Sequence, residues 1–133
     1  DSMWNNYQKT GSKVSTTVFS NKNGTGEYGF ENNIVVSKDG QVINYDKERN
    51  SHEANGIDIG YFIVEKDALD PKISENFSFE VDMLPQFIYQ KKLYAYVTNN
   101  QYYYITNLKT LNDFEKAALK NNFTPLHQNC FTS

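Results

Sequence analysis

The stretch IVVSKDGQVINYDKERNSHEANGIDIGYFIV, residues 34–64, decides the fold. Within it Asp39-Gly40 separates two short runs rich in β-branched residues, the spacing of a tight hairpin turn. A hairpin is therefore expected over residues 33–46. Residues 47–56, KERNSHEANG, hold no apolar side chain beyond Ala54 and show no period, so they form a loop long enough to reach over a ligand or simply to flex. The segment Ile57–Val64 follows, apolar on both faces, and predicts a strand in a sheet covered on both sides. Its single acid, Asp58, stands two residues before Gly60. A carboxylate inside an apolar strand has to be satisfied by hydrogen bonds or lie at a mouth.

On the N-terminal side, residues 13–19 (KVSTTVF) read as a strand and residues 21–29 (NKNGTGEYG) as a loop. Before them Met3, Trp4 and Tyr7 share one side of a helix that Gly11 is placed to end. On the C-terminal side, residues 65–72 make a short helical turn stopped by Pro71. Phe79, Met83, Leu84, Phe87 and Ile88 then recur at helical spacing, with Pro85 marking a kink or a late start. Residues 93–98 (LYAYVT) and 101–106 (QYYYIT) predict two strands. A last helix over 108–122 carries the stripe Leu111, Phe114, Ala118 and Leu119, with Thr110 and Asp113 resembling a capping box. Strands and helices alternate with one hairpin inserted, so the fold class is α/β with a mixed sheet. No strand, glycine-rich loop and helix unit opens the chain.

At 133 residues the chain can bury one core, and one folded unit over 1–133 is expected. Thirteen Lys and Arg against sixteen Asp and Glu leave a net charge of -3, with the two signs interspersed. No basic stripe offers itself, which argues against nucleic acid and anionic lipid as partners. No run of apolar residues is long enough to cross a bilayer, and residues 1–13 do not read as a secretory signal. The single cysteine, Cys130, has no internal partner and fits a reducing compartment, so a cytoplasmic location is expected.

Several residues invite a chemical reading. His127 and Cys130 have a metal-like separation, yet a zinc site needs about four ligands and there is no second pair. Cys130 as a nucleophile lacks an orienting acid in its unpatterned tail. Tyr102, Tyr103 and Tyr104 are a stacking surface or, if they alternate along a strand, partly core. Asp46-Lys47 stands where the hairpin gives way to the loop, a place where a carboxylate accepts hydroxyls and an ammonium meets phosphate, or where both are merely solvated.

Taken in order, these segments resemble the C-terminal half of the sugar-1-phosphate nucleotidyltransferases. EYGFENNIVVSKDGQVINYDKE looks like that family's Tyr-Gly, hairpin and Glu-Lys-Pro segment, with Asp46-Lys47-Glu48 in the last position. GIDIGYFIVEKDAL is similar to the family strand that turns an Asn or Asp and a Gly toward the sugar. FSFEVDMLPQFIYQKKLYAYVTNNQYYYIT resembles its Phe-Glu-x-Asp-x-Leu-Pro helix, Leu-Tyr-x-Tyr strand and Trp-x-Asp-x-Gly-Thr turn, and NLKTLNDFEKAAL its next helix. The likeness spans residues 13–120 and is nearest to the branch acting on heptose or hexose 1-phosphates for surface polysaccharides.

The resemblance implies the C-terminal portion of a Rossmann-like mixed sheet, with the nucleotide-binding half absent from these residues. It implies Lys47 at the sugar phosphate, Asp46 at a sugar hydroxyl, and Asp58 with Gly60 at the sugar ring. Nucleoside triphosphate and sugar 1-phosphate would be the substrates, and the missing half or a homologous subunit the partner. Mg²⁺ is implied as well, but the family's second metal aspartate falls at Tyr104 and its Gly-Thr at Thr106-Asn107. That departure keeps open a catalytically inactive sugar-nucleotide-binding or regulatory member, beside an unrelated small binding domain. The chain alone is expected to lack transferase activity.

Overall fold

A computed structural model describes residues 1–69 and 76–121. The chain divides into two compact units, Asp1–Tyr102 and Tyr103–Ser133.

The first unit is built on β1 (Val14–Phe19), β4 (Ile57–Val64) and β5 (Leu93–Thr98), in the order β4-β1-β5. β1 runs antiparallel to β4 and parallel to β5, so the sheet is mixed as the alternation of elements predicts. A hairpin of β2 (Ile34–Val36) and β3 (Val42–Tyr45) stands beside it. Its turn is tied by Ser37 N–H to Gln41 O, with Asp39 accepting from the Ser37 hydroxyl. One face of β1 supplies Val14 and Val18 to the core. Ile34, Val42, Leu84, Phe87 and Leu93 pack around them, all almost fully buried.

Every residue of β1 is buried although three of the six are hydroxyl-bearing, whereas apolar β4 is half-exposed and shows Tyr61 to solvent at 67%. The strand covered on both sides is thus β1, not Ile57–Val64 as its composition suggested. Position decides this: β1 has a neighbour on each side, and β4 lies at an edge. The opposite face of β1 meets α1 (Ser2–Thr10), where Thr17 donates to the Met3 sulfur. Tyr7 on α1 reaches Glu65, which also holds Lys13 at 2.6 Å, and Gly11 ends the helix in a left-handed conformation.

After the short turn Lys66–Ala68, Pro71 lies outside the described residues. Ser78 opens the next helical segment, accepting from Val81 N–H while Asp82 accepts from Ser78 N–H. The first turn, Phe79–Met83, is wide: Leu84 N–H bonds back five residues to Phe79 O. Pro85 has no N–H for the usual bond four residues back, so regular α2 (Leu84–Tyr89) begins only there. This is the late start.

In the second unit α3 (Leu108–Asn121) is capped three residues earlier than expected. Asn107 Oδ1 accepts from Thr110 N–H and Thr110 Oγ1 accepts from Asn107 N–H, while Asp113 pairs with Lys109. Leu119 is 82% exposed because it lies about 80° around the helix from Leu111, off the stripe. Residues 101–106 do not form the expected strand. Tyr102 instead inserts edge-on against Phe19 and accepts Glu27 N–H at its hydroxyl, and Tyr103 packs on Phe114. Side-chain anchoring replaces a ladder there. His127 and Cys130 lie outside the described residues.

Candidate functional site

Asn33 sits at the entrance to β2 and is 5% exposed. Its carbonyl accepts Asp46 N–H at 2.7 Å, its side-chain oxygen accepts Asp58 N–H at 2.9 Å, and its own N–H goes to Gly56 O at 3.0 Å. One buried amide therefore draws the end of β3 and the start of β4 together. Asn55 adds to this by pairing both side-chain atoms with the backbone of Val36, as a strand neighbour would. Sequence reasoning missed Asn33 because an asparagine before a strand is ordinary, and its three partners are distant in the chain.

The loop after β3 is consequently pinned. Asp46 accepts from Glu48 N–H at 3.0 Å and from Asn50 and Ser51 N–H at 2.7 Å each, so its carboxylate faces its own loop. Lys47 points the other way, to the wall of a groove of about 610 Å³ between β3 and α2, lined by Ile43, Tyr45, Glu80, Val81 and Tyr89 among others. Its ammonium lies 3.4 Å from Glu80, and both groups are well exposed. Such a pair contributes under about 1 kcal/mol and opens readily.

Tyr45, at the end of β3, is half-buried. Burial, then the negative charges of Glu80 and Asp58, push its hydroxyl up to about 12, with Arg49 acting in the opposite direction. The phenol thus stays protonated and able to donate. Asp58 is half-buried too, and burial pushes its carboxyl upward, helped by Glu80. Against that, Thr16 Oγ1 donates to Asp58 Oδ1 at 2.7 Å and Gly60 N–H to the same oxygen at 3.2 Å.

The Gly60 contact arises from an irregularity in the β1–β4 ladder: Thr16 pairs with Phe62 and Val18 with Asp58, leaving residues 59–61 bulged. Gly60 takes φ +83 in the bulge, a backbone that a side chain would strain, and the space beside it is open.

The fold brings Lys47, Tyr45 and Glu80 to one groove and sets Asp58 within electrostatic reach of the last two. Asp58 itself turns to Thr16, Asp46 belongs to its loop, and Gly60 shapes the bulge. Tyr45 and Glu80 escaped the sequence reading because neither type stands out in a chain with ten tyrosines and sixteen acids. The signal that finds them is their placement on opposite walls.

Among the described residues no three of His, Cys, Asp and Glu cluster to hold a metal ion. Glu80 already has the Lys47 ammonium beside it, and Asp58 is engaged by the Thr16 hydroxyl and Gly60 N–H. These residues do not compose a Mg²⁺ site. Among them, too, no helix is long and apolar enough to cross a membrane.

No family model matches the chain. A protein of Aneurinibacillus thermoaerophilus, D-glycero-alpha-D-manno-heptose 1-phosphate guanylyltransferase, is 32% identical to it over 84 residues, which are 62% of this chain and 35% of that relative. The chain spans about a third of the length of the protein it matches.

Proposed function

We propose that this chain is the sugar-phosphate-binding portion of a nucleotidyltransferase, which passes a nucleotidyl group from a nucleoside triphosphate to a sugar 1-phosphate to make a nucleotide sugar for surface polysaccharide. The observation that carries the reading is the groove in which Lys47 faces Glu80 and Tyr45 beside the Asp58 strand. The partial likeness to a heptose 1-phosphate guanylyltransferase supports it. A phosphate entering the groove exchanges Glu80 for itself at the Lys47 ammonium, a replacement that the loose, exposed pair makes cheap. Glu80 is then released to accept, and the Tyr45 hydroxyl to donate, toward sugar hydroxyls.

In the reaction an oxygen of the sugar phosphate attacks the α-phosphorus of the triphosphate and pyrophosphate leaves. Catalysis of that step rests on alignment and charge, with no covalent enzyme intermediate. The nucleotide-binding portion, on the same polypeptide or a homologous subunit, completes the proposal, as does a cytoplasmic setting.

A second reading is favoured by Tyr104, which stands where the resembled family has a metal aspartate. In it the groove binds a sugar nucleotide without turnover.

Calorimetric titration with mannose 1-phosphate tests the binding role that both readings share. Saturable binding by the native chain is expected, weakened at least about tenfold in Lys47→Ala, since a charge-assisted contact is worth roughly 1.5–3 kcal/mol. The melting temperature should barely change. Equal binding by Lys47→Ala removes the groove from consideration.

A further inference from the structure

The loop that carries Lys47 holds one residue whose conformation its own chemistry does not favour. Arg49 has φ +58, in the left-handed region where glycine or asparagine is the ordinary occupant. Its side chain makes two contacts away from the loop. Nη1 donates to Glu31 O at 2.8 Å, and the guanidinium carbon lies 4.4 Å from the centre of the Tyr28 ring. Tyr28 is 54% exposed, so the stacking is of the modest, water-facing kind. Backbone strain and side-chain gain are of the same order and offset one another. Stability alone does not account for an arginine here.

What the contacts achieve is placement. The Tyr28 loop is itself fixed: Gly29 N–H bonds to Gly26 O, the buried Asn21 amide holds Gly29 O and Gly26 N–H, and Glu27 N–H reaches Tyr102. Asn33 O holds the Lys47 loop at its first residue through Asp46 N–H, and the Asp46 carboxylate rounds the loop into one compact turn. Arg49 fastens the turn to the fixed neighbour.

We propose that Arg49 is a positioning residue for the groove: by clamping its loop to Tyr28 and Glu31 it holds Lys47 at the place where the phosphate of a sugar phosphate is received. This rests on the sugar-phosphate reading of the groove. Arg49 need not touch the ligand; it acts through Lys47.

The test uses the full chain and mannose 1-phosphate, with Arg49→Gly, Arg49→Lys and Tyr28→Leu alone and Arg49→Gly combined with Lys47→Ala. Arg49→Gly relieves the strained backbone while removing the clamp. It is expected to melt no lower than the native chain yet to bind about tenfold more weakly, the scale of a contact group displaced by an ångström or less. Tyr28→Leu should weaken binding in the same direction, and Arg49→Lys, which keeps the charge but not the fork, should fail to restore it. In the Lys47→Ala background Arg49→Gly should cause no further loss, a coupling that a merely structural role would not produce. Native affinity in Arg49→Gly, or losses that add in the double variant, overturn the positioning role and leave the groove reading intact. Absence of saturable binding by the native chain overturns the groove reading, and this proposal with it.

Discussion

Replacing Asp46 by alanine separates two roles for one carboxylate. If Asp46 serves its loop, three backbone N–H groups at 3.0, 2.7 and 2.7 Å lose their acceptor together. At about 1 kcal/mol per bond, reduced because the loop faces water that can replace part of the loss, the cost is about 2 kcal/mol. That corresponds to a fall of about 7 °C in melting temperature for a domain of this size. Asp46→Asn keeps one acceptor oxygen and should lose about half as much. Urea unfolding followed by circular dichroism gives the first number, with a lowered midpoint at unchanged slope. Amide hydrogen exchange gives the second: Glu48, Asn50 and Ser51 should lose protection while the β1 amides keep theirs. If Asp46→Ala melts with the native chain and those three amides stay protected, the carboxylate does not hold the loop. A loss confined to sugar-phosphate affinity would return it to the ligand.

Two further outcomes follow from the same geometry. Because burial places the Asp58 carboxyl above its unfolded value, the folded state retains the proton longer, and stability falls as pH rises through the window just above the ordinary carboxylate range. Asp58→Asn should flatten that fall and Thr16→Val, which removes a bond favouring the charged form, should steepen it; urea midpoints against pH decide, and an unchanged profile in Asp58→Asn refutes the assignment. Gly56→Ala would set a Cβ 2.5 Å from Val18 Cγ1 and 3.2 Å from Phe19 O, against a valine only 1% exposed. A loss of about 1–3 kcal/mol is expected from such overpacking, and a native urea midpoint would show that the strands part more easily than their contacts imply.

Much of the local structure was legible because its causes are local. Asp39-Gly40 specified the hairpin, Gly11 the end of α1, and Pro85 the late start of α2 through its missing N–H. Asp58 was legible as a group in need of partners, though not which partners: Thr16 lies across the sheet and cannot be inferred from the strand itself. Lys47 lines a groove, but its position at the end of the hairpin fitted a ligand and plain solvation alike, and only the family resemblance placed it at a phosphate. Its neighbour Asp46 was read outward although its carboxylate faces inward, since a pattern of residue types does not reveal that a loop will fold back on its own first side chain. The coverage of β1 and the exposure of β4 depended on sheet order, which composition does not encode. The strand expected over residues 101–106 failed for a related reason, a long-range packing partner overriding alternation, while Tyr102 does pack on Phe19 as a core ring would.

The placement of β1 has a consequence for how the chain is made. The most deeply covered strand comes before both of its neighbours, and Val14 meets Val64 on one side and Leu93 on the other. During synthesis the hairpin can close early, but β1 must wait until α2 and β5 have left the ribosome. Until then the edge of β1 that awaits β5, and its Val14 and Val18 side chains, stand open to other chains. The nascent polypeptide, rather than the finished fold, is where a chaperone would find most to hold.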